Sequence, residues 1–124
     1  DLSSVINTKA KKARRLSDEE VERRAKSARK KSGVRTITSQ YYERDPWVAE
    51  HAKRKALGIC QLCNEPGPFK DKQNRWYLET HHIVWLSKGG DDTVENTVAL
   101  CPNCHKKMHI INDAKDIKKL KAHQ

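Results

Sequence analysis

Apolar residues are scarce in this 124-residue chain: they make up 35% of it, with a single Phe and a single Met. No run of about 18 apolar residues occurs, which excludes a membrane-spanning helix, and nothing at the start resembles the apolar segment of a secretory signal. The expectation is a soluble, intracellular protein with no membrane partner. The chain begins with Asp1, as a fragment or processed piece does, so the missing leader carries little weight. No internal repeat is visible. So little apolar material over this length supports one modest core with a polar extension, and such a core needs extra support.

Acidic residues are also short, 16 against 26 Lys and Arg, for a formal charge of +10 and a pI near 9.6. An anionic partner is implied. The excess is one-sided. Residues 1–58 hold 16 basic and 8 acidic residues, net +8, whereas residues 59–124 hold 10 and 8, net +2. Between Lys9 and Lys31 there are 11 basic and 4 acidic residues, so this arm is expected to hold phosphates. Its helix signal is Ser17 before Asp18-Glu19-Glu20, a Ser-x-x-Glu capping box, with Lys and Arg continuing to Lys31 and Gly33 as the stop. Val21, Ala25 and Ala28 are its only apolar positions, so a solvated charged linker helix is the alternative to a DNA-ordered one.

The four cysteines supply the missing support. They form Cys60-x2-Cys63 and Cys101-x2-Cys104, and two such knuckles meeting around Zn²⁺ staple distant segments together. Two disulfides in a secreted protein are the alternative, although paired C-x-x-C motifs read as zinc sites. The 37 residues between Cys63 and Cys101 exceed the interval of a simple zinc ribbon, so something is inserted there. Four thiolates leave no open position on the metal, which makes this zinc structural.

The division expected from these features is a basic, partly helical arm over residues 1–43 and a folded domain over residues 44–124. Val34 to Tyr42 is β-prone. Asp45-Pro46 reads as N-cap and first position of a helix running to Leu57, with Gly58 as stop and Val48, Ala52 and Ala56 as its buried stripe beside Trp47 and Leu57. Trp47 is taken as packing rather than as a base-stacking residue. A hairpin over Phe69 to Trp76 is expected to lead into a strand Trp76–Val84, on which His81 and His82 face opposite ways. After the turn-rich Ser87 to Asp92, Thr97–Leu100 is a second strand that delivers Cys101. A helix starts in the second knuckle and carries His105 and His109 on one face. The tail Asn112–Gln124 forms another helix with Ile117 and Leu120 inward. His51 and His123 are assigned no role.

The inserted segment and the helix after it hold the chemistry-bearing residues: His81, His82, Asn96, His105 and His109. Hydrolysing a phosphodiester requires a base to activate water and a cation to neutralise charge growing on the phosphoryl oxygens. A neutral imidazole suits the first task, provided a partner fixes its tautomer. His82 is the expected base, with Asn96 as orienting group through its side-chain or backbone carbonyl and as a tie for the loop.

The intervals of 14 residues from His82 to Asn96 and 9 from Asn96 to His105 are similar to the His-Asn-His pattern of the HNH, or ββα-metal, endonucleases. The resemblance covers about residues 44–110. It implies an α+β fold: a small ββα-metal nuclease domain with a structural four-cysteine zinc site, preceded here by the basic helical segment. It also implies His82 as general base, His105 and His81 as ligands of a catalytic Mg²⁺ or Mn²⁺, and His109 as an optional further ligand. Co²⁺ or Ni²⁺ should also serve, imidazole being softer than carboxylate. Lys88, Lys106 and Lys107 lie beside these residues in sequence and are candidates for flanking phosphates.

Arg44-Asp45-Pro46-Trp47-Val48, Gly58 to Cys63 and Tyr77 to His82 together look like the nuclease domain of McrA-type restriction enzymes, bacterial proteins that cut DNA carrying modified cytosine. That resemblance implies DNA as partner, a cytoplasmic location, a base-recognition domain outside this chain and a homodimer for double-strand cleavage. Three alternatives stay open: a catalytically inactive zinc-stabilised binding module, an RNA-directed nuclease with the same residues, and a zinc site in which His105 or His109 replaces a cysteine.

Overall fold

In a computed structural model, residues 2–124 are described, with side chains from residue 7 onward. The chain forms two compact units, residues 1–39 and 40–124. Among the described residues no helix is long and apolar enough to cross a membrane.

The first unit contains helices α1 (Leu2–Arg15) and α2 (Asp18–Lys26). Helix α1 is absent from the sequence-based expectation. Helix α2 starts as its capping box requires, with Ser17 Oγ accepting the Glu20 N–H at 3.2 Å. It ends at Lys26, five residues before the expected Lys31. Ser27 stops it by turning its hydroxyl onto the carbonyls of Arg23 and Arg24. Beyond it, the like-charged Arg29-Lys30-Lys31 has no apolar neighbour to pack a further turn. Nothing in α2 is buried. Val34 to Tyr42 is not a strand: β-prone residues without a partner strand stay extended and exposed.

In the second unit, helix α3 (Pro46–Ala56) is capped by Asp45, whose carboxylate accepts the Trp47 N–H at 2.8 Å. Ala52 and Ala56 are buried. Trp47 and Leu57, expected beside that stripe, are both 83% exposed. Trp47 sits in the first turn, off the alanine stripe, and Leu57 is thrown outward by a left-handed φ of 56°. The sheet is one antiparallel pair, β1 (Glu79–His82) and β2 (Thr97–Leu100), in register Glu79↔Leu100 to His82↔Thr97. The expected strand from Trp76 is therefore shorter. The hairpin before it is pinned by a single Lys70↔Trp76 bridge around Asn74, whose φ is 63°.

Helix α4 (Pro102–Ile110) leaves β2 directly, and helix α5 (Ala114–Lys121) follows. The core joins Leu78, Ile83, Val98, Ala99, Leu100, Met108 and Leu120 to Ala56, Cys60 and Leu62. Leu120 is buried and Ile117 packs against the cluster, as the tail's spacing predicts. Lys107 to Asp116, at 3.0 Å, ties α5 to α4. Truncating a fully buried leucine such as Leu100 in so small a core costs about 2–5 kcal/mol.

Candidate active site

The first knuckle is a tight turn. Asn64 takes a φ of 62°, its N–H reaches Cys60 O at 2.9 Å, and Cys60 N–H reaches Glu65 O at 2.8 Å. The second knuckle is the start of α4, where Cys101 is the N-cap and its Sγ accepts the Cys104 N–H at 3.4 Å. All four cysteines are free thiols, and their sulfurs lie within 4.8 Å of one another, with Cys63 and Cys101 at 4.0 Å. Burial pushes the Cys104 thiol up, whereas knuckle N–H groups outweigh burial at Cys60 and hold it below its usual value. Such a set fits a tetrahedral dication, which would draw off the protons. His105 and His109 stand apart from this cluster in a second one, so no imidazole substitutes for a thiol.

That second cluster is His81, His105 and His109, whose ligand nitrogens also lie within 4.8 Å of one another. Strand β1 brings His81 to within 5.2 Å of both other rings, centroid to centroid, and α4 sets the other two edge to face at 4.8 Å as i and i+4 neighbours. His81 is 1% exposed, and its Nε2 is buried with no hydrogen-bond partner. Burial first, then the neighbouring imidazoles, lower its pKa to about 3, so the ring is neutral. A buried neutral nitrogen without a partner is costly unless a cation takes its lone pair. The donor set therefore fits a metal ion.

His105 is held from behind. Its Nδ1 donates to Glu79 Oε1 at 2.9 Å, and Glu79 also accepts the Tyr77 hydroxyl at 2.8 Å. The His105 ring holds the Glu79 carboxyl below its usual range. An ionised carboxylate only accepts, so in the neutral His105 ring Nε2 carries the lone pair; it faces His109 Nε2 at 3.1 Å. The Trp85 ring lies tilted over His109, 5.1 Å away.

His82 takes different partners from its neighbour His81, although both rings line one cavity of about 410 Å³ with His105, His109, Tyr42 and Arg44. Its Nε2 lies 2.8 Å from Asp92 Oδ1, and Asp92 Oδ2 accepts the Asp45 N–H at 2.6 Å. The Asp45 N–H first, and then the His82 ring, hold the Asp92 carboxyl low. In the neutral His82 ring the proton therefore sits on Nε2, leaving Nδ1 as the acceptor.

Asn96 is buried and its bonds go elsewhere. Its amide clamps Val84 N and Val84 O at 2.8 and 2.9 Å and Asp91 O at 2.8 Å, and its backbone carbonyl accepts Ile83 N–H at 2.8 Å. It ties the loop after β1, while Asp92 touches the His82 ring. Sequence reasoning missed Asp92, Glu79 and Arg44. The acidic pair Asp91-Asp92 at the end of the expected turn-rich loop was the available signal for the first. Lys107 is engaged by Asp116, and Lys88 and Lys106 are exposed. His51 is exposed, but His123, assigned no role from the sequence, bonds Gln61 O at 2.9 Å and braces the first knuckle.

Residues 60–110 match the family model for HNH endonuclease. The chain is 45% identical over 76 residues to the type IV methyl-directed restriction enzyme EcoKMcrA of Escherichia coli K12, covering 61% of this chain and 27% of that protein. It is 45% identical over 29 residues to anaredoxin of Nostoc sp. PCC 7120, covering 23% and 38%. Among solved structures it resembles the type IV phosphorothioation-dependent restriction endonuclease ScoMcrA, with a TM-score of 0.56 and 29% identity over 64% of this chain and 16% of that one. The chain thus spans about a quarter of the restriction enzyme it matches and less of the structural relative. Residues 60–110, with four clustered cysteines, a two-stranded sheet and helix α4, thus carry the match to the HNH endonuclease family.

Proposed function

We propose that this chain carries the cleavage module of a modified-cytosine-dependent restriction enzyme, a metal-dependent DNA endonuclease. The observation that carries the reading is the buried, unpartnered His81 Nε2 beside His105 and His109, in the cavity lined by His82. Cys60, Cys63, Cys101 and Cys104 hold structural Zn²⁺. His81 and His105, with His109 as third ligand, hold Mg²⁺ or Mn²⁺, and Co²⁺ or Ni²⁺ also suit three imidazoles. That ion, when bound, supplies the positive charge that stabilises the phosphoryl oxygens and the departing 3′ oxygen.

The chain's own groups do the rest. His82 Nδ1 takes the proton of the attacking water while Asp92 holds Nε2–H and stabilises the imidazolium that forms. Asn96 fixes the backbone on which His82 sits. Glu79 keeps His105 in the ligating tautomer. The products are 5′-phosphate and 3′-hydroxyl ends.

The net +10 charge, concentrated in residues 1–58, supports DNA as substrate and the basic arm 1–43 as a phosphate-holding extension of the nuclease domain 44–124. Covering only 27% and 16% of its relatives supports base recognition by a further domain of a longer protein. Double-strand cleavage then requires two copies, each contributing one site. The bacterial relative supports a cytoplasmic setting.

Plasmid nicking in Mn²⁺ by the parent and by His82→Ala, both zinc-loaded and folded, tests the reading. Nicking by the parent alone is the expected outcome. Equal nicking by both would remove His82 from the mechanism, and 3′-phosphate ends would exclude the assigned direction of cleavage. Nicking by neither would favour a binding module.

A further inference from the structure

The C-terminal end of α3 meets the hairpin 69–76 in a second cavity, of about 380 Å³, that shares none of the histidines. Two consecutive left-handed residues make the junction, Leu57 with φ 56° and Gly58 with φ 78°. Gly58 is required there, because a Cβ would lie 2.6 Å from Trp76 Cδ1. The cavity walls carry Lys53 and Arg54 from α3, and Lys70 and Arg75 from the hairpin.

Two of those four cations, Arg54 and Arg75, share one carboxylate. Glu50 accepts Arg54 Nε at 2.7 Å and Arg75 Nη1 at 3.1 Å, which fixes both guanidiniums and leaves most of their N–H groups unused. No carboxylate lies within ion-pair distance of Lys53 or Lys70 among the described residues. Lys70 instead rests over the Trp76 ring, 5.1 Å from its centroid. A cleft built on fixed guanidiniums and two free ammoniums recognises phosphate.

Its position connects it to the histidine site. Trp76 in its wall precedes Glu79, the partner of His105, by three residues.

Resting on the nuclease reading above, we infer that the cleft between α3 and the hairpin binds backbone phosphates of the duplex beside the cleaved bond. It sets where the strand lies without reading bases.

The test is fluorescence anisotropy of the zinc-loaded chain on a labelled DNA duplex, without added Mg²⁺ or Mn²⁺, as a function of salt. Lys53→Ala/Lys70→Ala should weaken binding and make the log–log salt slope shallower by about 1.8, the loss of two phosphate contacts. Lys118→Ala/Lys119→Ala, at exposed positions of α5, should leave the slope unchanged. An unchanged slope in the first variant, with the parent binding and nicking normally, would overturn the inference and leave the nuclease reading intact. A deficit confined to single-stranded RNA would overturn it as well. A parent that neither binds nor nicks duplex DNA would overturn both.

Discussion

Two clusters of metal-competent side chains share helix α4, and they differ in every respect that decides what a bound ion does. Four sulfurs, one pair from each knuckle, would fill every position of a tetrahedral ion. The three imidazoles converge from β1 and α4 and border the cavity of about 410 Å³. Cys101 and Cys104 start the helix, and His105 and His109 follow on one of its faces. A metal held by the first cluster would therefore set the direction of the helix that completes the second. Closed coordination serves the fold, and open coordination with polarised partners serves chemistry.

The largest expected effect comes from breaking the closed cluster. Stripping zinc with a strong chelator should unfold residues 40–124, seen as loss of the cooperative thermal transition by circular dichroism, since a structural zinc contributes on the order of 10 kcal/mol. A chelated chain that still melts cooperatively at the same temperature would make the cysteines dispensable.

Next is His82→Ala. Loss of a positioned base should lower the nicking rate by roughly 10²–10⁴-fold with the melting temperature held, measured on plasmid at saturating Mn²⁺. Asp92→Asn should lower it by less, about 10–100-fold, because an amide can present N–H to His82 Nε2 and favour the wrong tautomer. Its readout is the ¹⁵N shift pattern of the His82 ring, which should invert between the two nitrogens; an unaltered pattern would reduce Asp92 to a structural tie.

Glu79→Gln should act on the other side of the site, weakening Mn²⁺ binding about 10–100-fold by calorimetry, with nicking restored at high metal. A defect that extra metal does not repair would detach Glu79 from ion binding. The smallest effect belongs to Trp47→Ser, within about 0.5 kcal/mol, as befits an 83% exposed side chain. A loss of several kcal/mol there would restore the packing role that helical spacing suggests.

What the sequence made legible follows the same division. Spacing alone identifies the knuckles, because ligands at i and i+3 act locally, and the doubled His, Asn96 and the i,i+4 histidines are likewise short-range patterns. Asp92 and Glu79 are different. Asp92 acts on a ring ten residues away and Glu79 on one 26 residues away, so their roles exist only after β1, its loop and α4 have packed. Trp47 shows the converse failure, since helical periodicity says that residues share a face but not which face is covered. Val34 to Tyr42 shows it for strands, where propensity without a partner yields exposed chain.

The most direct test of the division compares two adjacent residues on α4. Cys104→Ser and His105→Ala should be assayed together for cooperative melting and for plasmid nicking in Mn²⁺. The account predicts that Cys104→Ser loses the fold, whereas His105→Ala melts like the parent and does not nick. A folded, active His105→Ala, or loss of the fold in both variants, would contradict it.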